Sequence, residues 1–529
     1  MNKKSFIKGA AILGIAGVLV KVIGAFFRIP LANFLSDEGM SFYQTPYPIY
    51  NWLLVISTAG LPAAIAKLVS EKLADDDSIG AHKIFKVALK LLTVIGIISS
   101  LLMYFLAEFI AVAVKNPLAV YSIKAIAPAI VFISMMSVYR GYFNGHQELV
   151  PYGISQIFEQ IGRVIVGLSL ALILLGQGEH FAAAGATFGA TAGAVVGFIV
   201  IVLLYQFKYK EMHIKIEKIS RGESKIIIKK LLAIAIPITI GASIIPIMSI
   251  IDLAIVMRRL TAIGFGETAN DLYGQLTAYA GALINIPQVV TAGIQVSIIP
   301  AVSGAFAKAK FDELKETIRN GIRTSIIIGI PSSIGLSVMA KEIMYLLYPL
   351  QREVVVTAAV ILQILGIGFV FLALFQVTSG ILQGIGKHKT PAKNLFVGAI
   401  IKVFLVYFLV GIPSLNIKGA AFSTLMTYFI ACMLNIRNLN KTGYLHIKKK
   451  KYILGPVFSG IVMGVFVKIA YIGLSVVIPD SIATLVSIGL AAIVYTVMIF
   501  ITKSISLEEL EMIPGGKKIR KLVRKIANV

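Results

Sequence analysis

Seven ionisable side chains lie inside long apolar segments of this sequence, and they are Lys21, Arg28, Glu159, Arg163, Asp252, Lys402 and Lys468. A charge at the centre of a membrane helix costs roughly 2.5–3.5 kcal/mol on insertion scales, so seven lipid-facing charges would cost on the order of 20 kcal/mol. Most of these groups are therefore expected to face water or one another. The chemistry that they offer is the binding of ions at membrane depth.

Basic groups outnumber acids in this set. Four of them, Lys21, Arg28, Arg163 and Lys402, are the candidate substrate-binding residues, and Glu159 and Asp252 are candidate cavity or coupling residues. Lys21 and Arg28 are seven residues apart and so share one face of a helix. Arginine holds phosphate through its planar fork and lysine adds a point charge. The excess of cations predicts an anionic cargo, and phosphate or diphosphate fits it best.

The spacing also suggests partners for some of these groups. Glu159 and Arg163 are separated by four residues and are able to pair along one helix, as a structural ion pair or as a functional couple. Asp252 has no acid-base partner close to it in the sequence, and Lys402 is its candidate partner. Lys468 is expected to extend its ammonium group to the membrane interface.

About fourteen apolar stretches carry these groups. Their approximate ranges are 6–33, 43–69, 86–113, 118–142, 152–176, 181–206, 230–258, 272–306, 322–341, 353–385, 392–411, 417–438, 452–475 and 481–502. Each reaches the ~20 residues that cross a hydrocarbon core of about 30 Å, and the backbone must satisfy its own hydrogen bonds there. Hydrophobic residues make up 57% of the chain and charged residues 14%. The sequence therefore predicts an all-α integral membrane protein.

Lys and Arg are distributed unevenly among the loops. With the N-terminus inside, the predicted cytoplasmic segments hold 38 of the 50 basic residues and the opposite loops hold seven. Short cytoplasmic loops attract Lys and Arg, so this bias predicts that both termini are cytoplasmic. The net charge of +25 lies beside apolar spans, where it faces anionic lipid headgroups. Anionic membrane lipids, rather than nucleic acid, are the expected partners of this charge.

An internal repeat relates the two halves of the chain. Gly141 and Gly145 precede Arg163 as Gly380 and Gly384 precede Lys402, with an offset of 239 residues in each case. Parallel repeats are typical of two-lobed transporters with alternating access. The expected organisation is an N-lobe at 1–206, a basic cytoplasmic linker at 207–229, a C-lobe at 230–440, two further helices at 441–503 and an amphipathic basic tail at 504–529. The tail is expected to lie on the inner leaflet.

Small residues predict close packing in the sixth span. Glycines recur there every four residues, at positions 185, 189, 193 and 197. Residues at this spacing share one face of a helix, and small side chains let a neighbouring backbone approach. A functional hinge at these glycines is the other interpretation.

Catalytic and cofactor chemistry has no sequence signature here. The six His residues form no metal-spaced set with Cys or acids, and no phosphate-binding glycine loop has the required context. The single Cys432 excludes a disulfide within the chain. We therefore expect no catalytic residue, no bound metal and no cofactor.

Three motifs resemble a known family. They are the segments 60–71 (GLPAAIAKLVSE), 140–147 (RGYFNGHQ) and 155–163 (SQIFEQIGR). Together they are similar to the polysaccharide-biosynthesis branch of the MOP flippase superfamily, and within it to the stage V sporulation protein B and YtgP group of MurJ-like proteins. The resemblance extends over essentially the whole chain. It implies fourteen helices, two six-helix lobes around a central cavity, and export of undecaprenyl-diphosphate-linked sugars.

The resemblance also assigns roles to single residues. Lys21 matches a basic residue of the first helix that precedes two apolar residues and Gly24, and Arg28 is a shifted match to a second basic residue. Asp252 matches an acid of the seventh helix that belongs to a cation site in some relatives. Lys402 stands where such a site would need an oxygen ligand.

The resulting hypothesis is an alternating-access flippase in the bacterial cytoplasmic membrane, not an enzyme. It would export a lipid-linked saccharide, with the peptidoglycan precursor lipid II as first choice, and its diphosphate would contact Lys21 and Arg28 with help from Arg163 or Lys402. Cell-wall synthesis proteins are further candidate partners. The alternatives are a cation-coupled small-molecule or multidrug antiporter of the same superfamily and a membrane-embedded glycosyltransferase or polymerase. The saccharide, and the choice among potential, proton and sodium as driving force, stay open.

Overall fold

The computed structural model describes residues 3–58, 60–209, 219–445, 450–502 and 504. Within these ranges the chain is helical almost throughout and contains no strand. Thirteen helical runs among the described residues are long and apolar enough to cross a membrane, and the first predicted span is part of a further helix. The all-α integral membrane fold is thus confirmed. The basic tail at 505–529 lies outside the described residues, as does the linker segment 210–218.

The helices alternate with short connections along the chain. In the N-terminal part they are α1 (Lys3–Phe34), α2 (Asp37–Gln44), α3 (Tyr47–Thr58), α4 (Leu61–Ala74), α5 (Ser78–Phe105), α6 (Ala107–Ala113), α7 (Val120–Ile126), α8 (Ala129–Gly145), α9 (Val150–Leu174) and α10 (Glu179–Tyr209). In the C-terminal part they are α11 (Arg221–Ala262), α12 (Ala269–Gly274), α13 (Gly281–Ala307), α14 (Phe311–Val338), α15 (Ala340–Leu347), α16 (Arg352–Gly384), α17 (Lys389–Val410), α18 (Ile417–Asn440), α19 (Gly455–Leu474) and α20 (Asp480–Ile501). π-Helical turns at Gln275–Ala280 and Lys450–Leu454 precede α13 and α19.

Several helices extend beyond the apolar stretch that predicts them. Helix α5 begins after Asp77, whose carboxylate accepts a hydrogen bond of 2.7 Å from the Gly80 amide. Helix α11 begins with a capping box in which Ser220 and Glu223 each bond the other's backbone amide. Polar capping residues, rather than the limit of hydropathy, determine where these helices start.

The second predicted span is not one helix. The range 43–69 contains the junction between α2 and α3 and the break between α3 and α4. Pro46 lies at the first junction, and Gly60 and Pro62 lie at the second. A Cβ atom at Gly60 would lie 2.2 Å from the Ala235 carbonyl oxygen of α11, so only glycine permits this approach. Proline at the start of a helix and glycine at a close contact explain why one apolar stretch forms three helices.

Contacts within the chain define two compact units. One contains Met1–Val289 and Ala399–Ser423, and the other contains Val290–Gly398 and Thr424–Val529. Every residue of the candidate site described below belongs to the first unit. The division into lobes at 1–206 and 230–440 remains a prediction.

The glycine pairs of the repeat have the same packing role in both units. A Cβ atom at Gly141 or Gly145 of α8 would lie within 3.0 Å of α4. A Cβ atom at Gly380 or Gly384 of α16 would lie equally close to α13. Each pair therefore provides a smooth face for the helix packed against it, which is α4 in the first case and α13 in the second. The predicted correspondence between the two segments is confirmed at the level of helix contacts.

The four glycines of α10 pack directly on α9. A Cβ atom at Gly189 would lie 2.6 Å from the carbonyl oxygen of Arg163, and one at Gly193 would lie 2.3 Å from that of Glu159. The prediction of a smooth helix face is confirmed. Because α10 lies on this side, the charged side chains of α9 must project in other directions.

Candidate anion-binding site

Arg163 of α9 lies against a column of tyrosines. Its Nη2 donates a hydrogen bond of 2.8 Å to the Tyr47 hydroxyl, and its guanidinium carbon lies 5.5 Å from the centre of the Tyr47 ring. The Tyr47 hydroxyl in turn donates to the Tyr43 hydroxyl at 2.9 Å. Phenol oxygens are neutral acceptors, so these contacts orient the guanidinium group without cancelling its charge.

The tyrosines are held by the junction between α2 and α3. Tyr43, Tyr47 and Tyr50 form a continuous set of ring contacts, with centroids 5.1 and 6.1 Å apart, and each side chain is buried. The buried Asn116 donates 2.8 Å and 3.3 Å hydrogen bonds to Thr45 and Ser41 beside them. Aromatic packing and these hydrogen bonds fix the position of the Tyr47 hydroxyl, and therefore that of the Arg163 guanidinium group bonded to it.

Glu159 does not neutralise Arg163. Although the i,i+4 spacing allows that pair, the Glu159 carboxylate instead accepts a hydrogen bond of 2.9 Å from Nη2 of Arg140 on α8. Arg140 also donates from Nε to the Ser155 hydroxyl at 3.1 Å and stacks on the Tyr152 ring at 4.9 Å. The pairing expected from spacing alone is therefore wrong, because a buried arginine from another helix reaches the carboxylate.

One donor of Arg163 has no hydrogen-bond partner among the residues that the structure describes. Its Nε is buried and makes no hydrogen bond to the described residues. No carboxylate of the described residues lies within 4.0 Å of this guanidinium group. Leaving a buried donor unsatisfied costs free energy, so this Nε is able to donate to an oxygen of a bound ligand or water.

Arg28 supplies a second cation near the same tyrosines. Helix α1 packs on α9, since a Cβ atom at Gly24 would lie 3.3 Å from the Gln160 amide and one at Gly167 would lie 2.9 Å from Phe27. Arg28 follows Phe27, whose ring centroid lies 6.0 Å from that of Tyr43. Arg28 is half-buried and forms no ion pair with the described residues. The backbone of Lys21 belongs to α1, whereas its side chain lies outside the described part of the chain.

Lys402 has a different environment. Its ammonium nitrogen lies 2.7 Å from Oδ2 of Asp252, and the two side chains are 15% and 21% exposed. The predicted partnership of Asp252 with Lys402 is confirmed. A carboxylate at this distance cancels most of the lysine's charge, so Lys402 and Asp252 form a neutral pair that links α17 to α11.

Lys468 is also paired. It lies 2.6 Å from Oε1 of Glu342, a buried residue of α15. This pairing is not visible in the sequence, because the carboxylate comes from a short helix distant in the chain. The Lys468 side chain is 43% exposed, and its extension to the membrane interface stays a prediction. This pair belongs to the second compact unit and takes no part in the Arg163 site.

Tyr47 and Arg140 are the residues that sequence reasoning missed. Tyr47 is one of three tyrosines spaced to share a helix face inside an apolar stretch, and that spacing was a usable signal. Arg140 stands at the end of a predicted span, where basic residues are common beside cytoplasmic loops and carry no special signal. In the described ranges no group of three His, Cys, Asp or Glu side chains is arranged to hold a metal ion.

Comparison with known proteins identifies the family. Residues 6–306 match the model of the family described as polysaccharide biosynthesis protein, and residues 277–408 match the MatE family. Stage V sporulation protein B of Bacillus subtilis (strain 168) is 28% identical over 525 residues, which cover 97% of this chain and 98% of the relative. Lipid II flippase MurJ of the same organism is 26% identical over 481 residues, or 88% of each chain.

Solved structures agree on the fold. A structure of lipid II flippase MurJ in an inward closed conformation matches with a TM-score of 0.69 and 16% identity, over 93% of this chain and 97% of that one. An inward-facing multidrug transporter of the MATE family matches with a TM-score of 0.64 and 14% identity, over 82% and 94% of the two chains. With its helical spans and a family match over residues 6–306, this chain belongs to the polysaccharide biosynthesis protein family.

Proposed function

We propose that this protein is a flippase that carries an undecaprenyl-diphosphate-linked saccharide, the peptidoglycan precursor lipid II, from the inner to the outer leaflet of the bacterial cytoplasmic membrane. Transport would proceed by alternating access, with both termini of the chain in the cytoplasm. The single observation that carries the proposal is the cationic site formed by Arg163 and Arg28, which no described carboxylate neutralises.

The chemistry of this site suits a diphosphate. Arg163 offers a buried Nε donor beside a guanidinium group held by Tyr47, and Arg28 adds a second charge near Tyr43. Charge-assisted bonds from arginine to phosphate oxygens are short and strong, and the planar fork matches two oxygens at once. Lys21 would add a third cation from α1. Lys402 would contribute little to binding, because the Asp252 carboxylate already neutralises its charge.

An anionic cargo also provides a driving force. A membrane potential that is negative inside favours outward movement of negative charge, by about 2.3 kcal/mol per charge per 100 mV. Two charges crossing the whole field would gain about 4–5 kcal/mol per 100 mV, which is sufficient for transport without ATP. Proton or sodium coupling is the competing proposal.

The test uses the purified protein in lipid vesicles. We expect undecaprenyl diphosphate to bind and a fluorescent diphosphate lipid to cross the bilayer faster when an inside-negative potential is imposed. A lipophilic drug cation should not compete. Strong binding of the cation with none of the diphosphate lipid would favour the antiporter, and transfer of sugar between lipids in vitro would favour a glycosyltransferase.

A genetic test addresses the site itself. In a strain depleted of its own lipid II flippase, Arg28→Ala is expected to abolish complementation although the protein reaches the membrane. Lys225→Ala is the matched control, because Lys225 is an exposed basic residue of α11 that lies outside the site. Normal growth of the Arg28→Ala strain would overturn the assignment of Arg28.

A further inference from the structure

We infer that Arg140 is a positioning residue that keeps Glu159 away from Arg163 and so preserves the free cation of the site. This inference rests on the proposed function, because the free charge of Arg163 matters only if Arg163 binds the anionic substrate. Arg140 itself would not touch the substrate. It concerns the electrostatic state of the site rather than its contacts with a ligand.

Helix geometry alone favours the opposite arrangement. Glu159 precedes Arg163 by four residues on α9, and a glutamate in this position N-terminal to a basic residue is the favourable orientation for an i,i+4 ion pair. Without a competitor, Glu159 would neutralise Arg163.

Arg140 is that competitor, and its contacts explain why it prevails. It is held at three points, by the Glu159 carboxylate at 2.9 Å, the Ser155 hydroxyl at 3.1 Å and the Tyr152 ring at 4.9 Å. The Arg140 side chain is 11% exposed, and Arg163 has the Tyr47 hydroxyl as an alternative acceptor. A largely buried guanidinium group is costly to leave without an anion, so the carboxylate stays with Arg140.

Close backbone packing prevents the α9 segment around Glu159 from shifting if Arg140 is removed. Gly193 of α10 lies against the Glu159 carbonyl and the Arg163 amide, where a Cβ atom would be 2.3 and 2.9 Å away. Helix α9 is thus fixed along this segment. If Arg140 were removed, rotation of the Glu159 side chain toward Arg163 would be the direct way to satisfy the carboxylate.

The second repeat provides an independent argument. At the offset of 239 residues, Arg140 corresponds to Ser379 and Glu159 corresponds to Gly398. The repeat that lacks the carboxylate also lacks the arginine, as expected if the arginine is there to hold the carboxylate.

The experiment compares variants of the full-length protein by binding of undecaprenyl diphosphate in nanodiscs and by complementation. Arg140→Gln should weaken binding about tenfold, which corresponds to roughly 1.4 kcal/mol. The double variant Arg140→Gln with Glu159→Gln should recover most of that loss, because it removes the carboxylate that would block Arg163. Arg140→Lys should bind nearly as well as the unaltered protein, since it keeps a cation for Glu159.

The outcomes separate this inference from the proposed function. If Arg163→Gln abolishes binding and the double variant stays as defective as Arg140→Gln, Arg140 acts by another route and the inference fails. If Arg163→Gln binds normally, the proposed site fails as well. Should Arg140→Gln not accumulate, Arg140→Lys and the double variant decide the matter, because loss of binding in both would contradict the inference.

Discussion

Arg163 and Lys402 occupy equivalent positions in the two repeats, yet their surroundings are opposite in character. The guanidinium group of Arg163 donates a hydrogen bond to the Tyr47 hydroxyl, and the nearby carboxylate of Glu159 is paired with Arg140. Lys402 ends at the carboxylate of Asp252, 2.7 Å away. The same position of the repeat is therefore cationic in one case and neutral in the other.

The neighbouring residues explain the difference. The position of Glu159 is Gly398 in the second repeat, and a Cβ atom there would lie 2.8 Å from the Thr427 carbonyl oxygen. Close packing of α17 on α18 leaves no space for a carboxylate one turn before Lys402. The acid comes from α11 instead, where Asp252 neutralises Lys402. In the first repeat no described carboxylate neutralises Arg163 in this way.

The polar contacts beside these positions differ in the same way. In the first repeat Arg140 connects α8 to α9 through Ser155 and Glu159. In the second repeat, Ser379 stands at the position of Arg140 and Asn394 at the position of Ser155. The buried Asn435 donates a hydrogen bond of 2.9 Å to the Ser379 hydroxyl and accepts one of 2.8 Å from the Asn394 amide. Neutral amides are sufficient to join helices. The charged version in the first repeat therefore suggests a purpose beyond packing, namely control of the charge on Arg163.

The largest expected effect comes from removing charge at the two equivalent positions. Arg163→Gln should lower binding of undecaprenyl diphosphate by about 100-fold or more, as expected when a charge-assisted contact of roughly 3 kcal/mol is lost. The double variant Lys402→Met with Asp252→Asn should lower it far less, because it removes a pair without net charge. Isothermal titration in nanodiscs measures both.

Equal losses in these two proteins would contradict the electrostatic distinction between the repeats. A greater loss in the double variant would reverse it and place the binding charge at Lys402. The comparison requires that both proteins have the same helix content as the unaltered chain, which circular dichroism checks.

A smaller effect is expected on the stability of the protein when Lys402 is replaced. Lys402→Met alone leaves the half-buried Asp252 carboxylate without its partner, which should cost less than the about 3–5 kcal/mol of breaking a fully buried pair. Thermal unfolding of the detergent-solubilised protein should therefore start at a lower temperature. Adding Asp252→Asn should restore most of the loss. Persistence of the full defect in the double variant would mean that Lys402 stabilises the protein through packing rather than through charge.

The smallest effect concerns the third membrane helix of each repeat. The Lys72 ammonium group and the Gly80 amide hold the pKa of Asp77 below its ordinary value, and Asp77 caps α5. Helix α14 follows Lys310, whose side chain makes no such bond. Asp77→Ala should cost about 1 kcal/mol of stability, whereas Lys310→Ala should change little.

The pH dependence of that cap follows from the direction of the shift. A carboxylate with a lowered pKa stabilises the folded state above its unfolded pKa of about 4, and the contribution is lost as the pH falls through the folded value. The difference between Asp77→Ala and the unaltered protein should therefore be full at pH 7 and shrink below about pH 4. A difference that stays constant across this range would mean that the cap does not depend on ionisation.

Much of the fold could be predicted because it depends on local properties. Apolar stretches of sufficient length must form helices in lipid, so the spans follow directly from hydropathy. The glycines of α10 and the glycine pairs of α8 and α16 signal close packing, because only small residues let backbones approach. The break in the second span was missed, since it depends on the approach of Ala235 to Gly60, a contact between residues far apart in the sequence.

The candidate site was predictable only in part. Arg28, Arg163, Asp252 and Lys402 were identifiable as charges inside apolar segments, and Lys402 was the candidate partner of Asp252. The partners of Glu159 and Lys468 were not, because each comes from a separate helix. The tyrosines beside Arg163 are unremarkable in composition, and their role depends on how α2 and α3 meet α9.

By itself, the sequence determined that this chain crosses the membrane many times and carries more positive than negative charge at depth. Hydropathy and residue counts require no knowledge of contacts. Only the tertiary structure decided which of those charges remains available, by joining Arg140 to Glu159 and Asp252 to Lys402 while leaving Arg163 with a phenol. The physical reason is that the energy of an ion pair depends on distance and burial, and for residues on different helices both are set by packing.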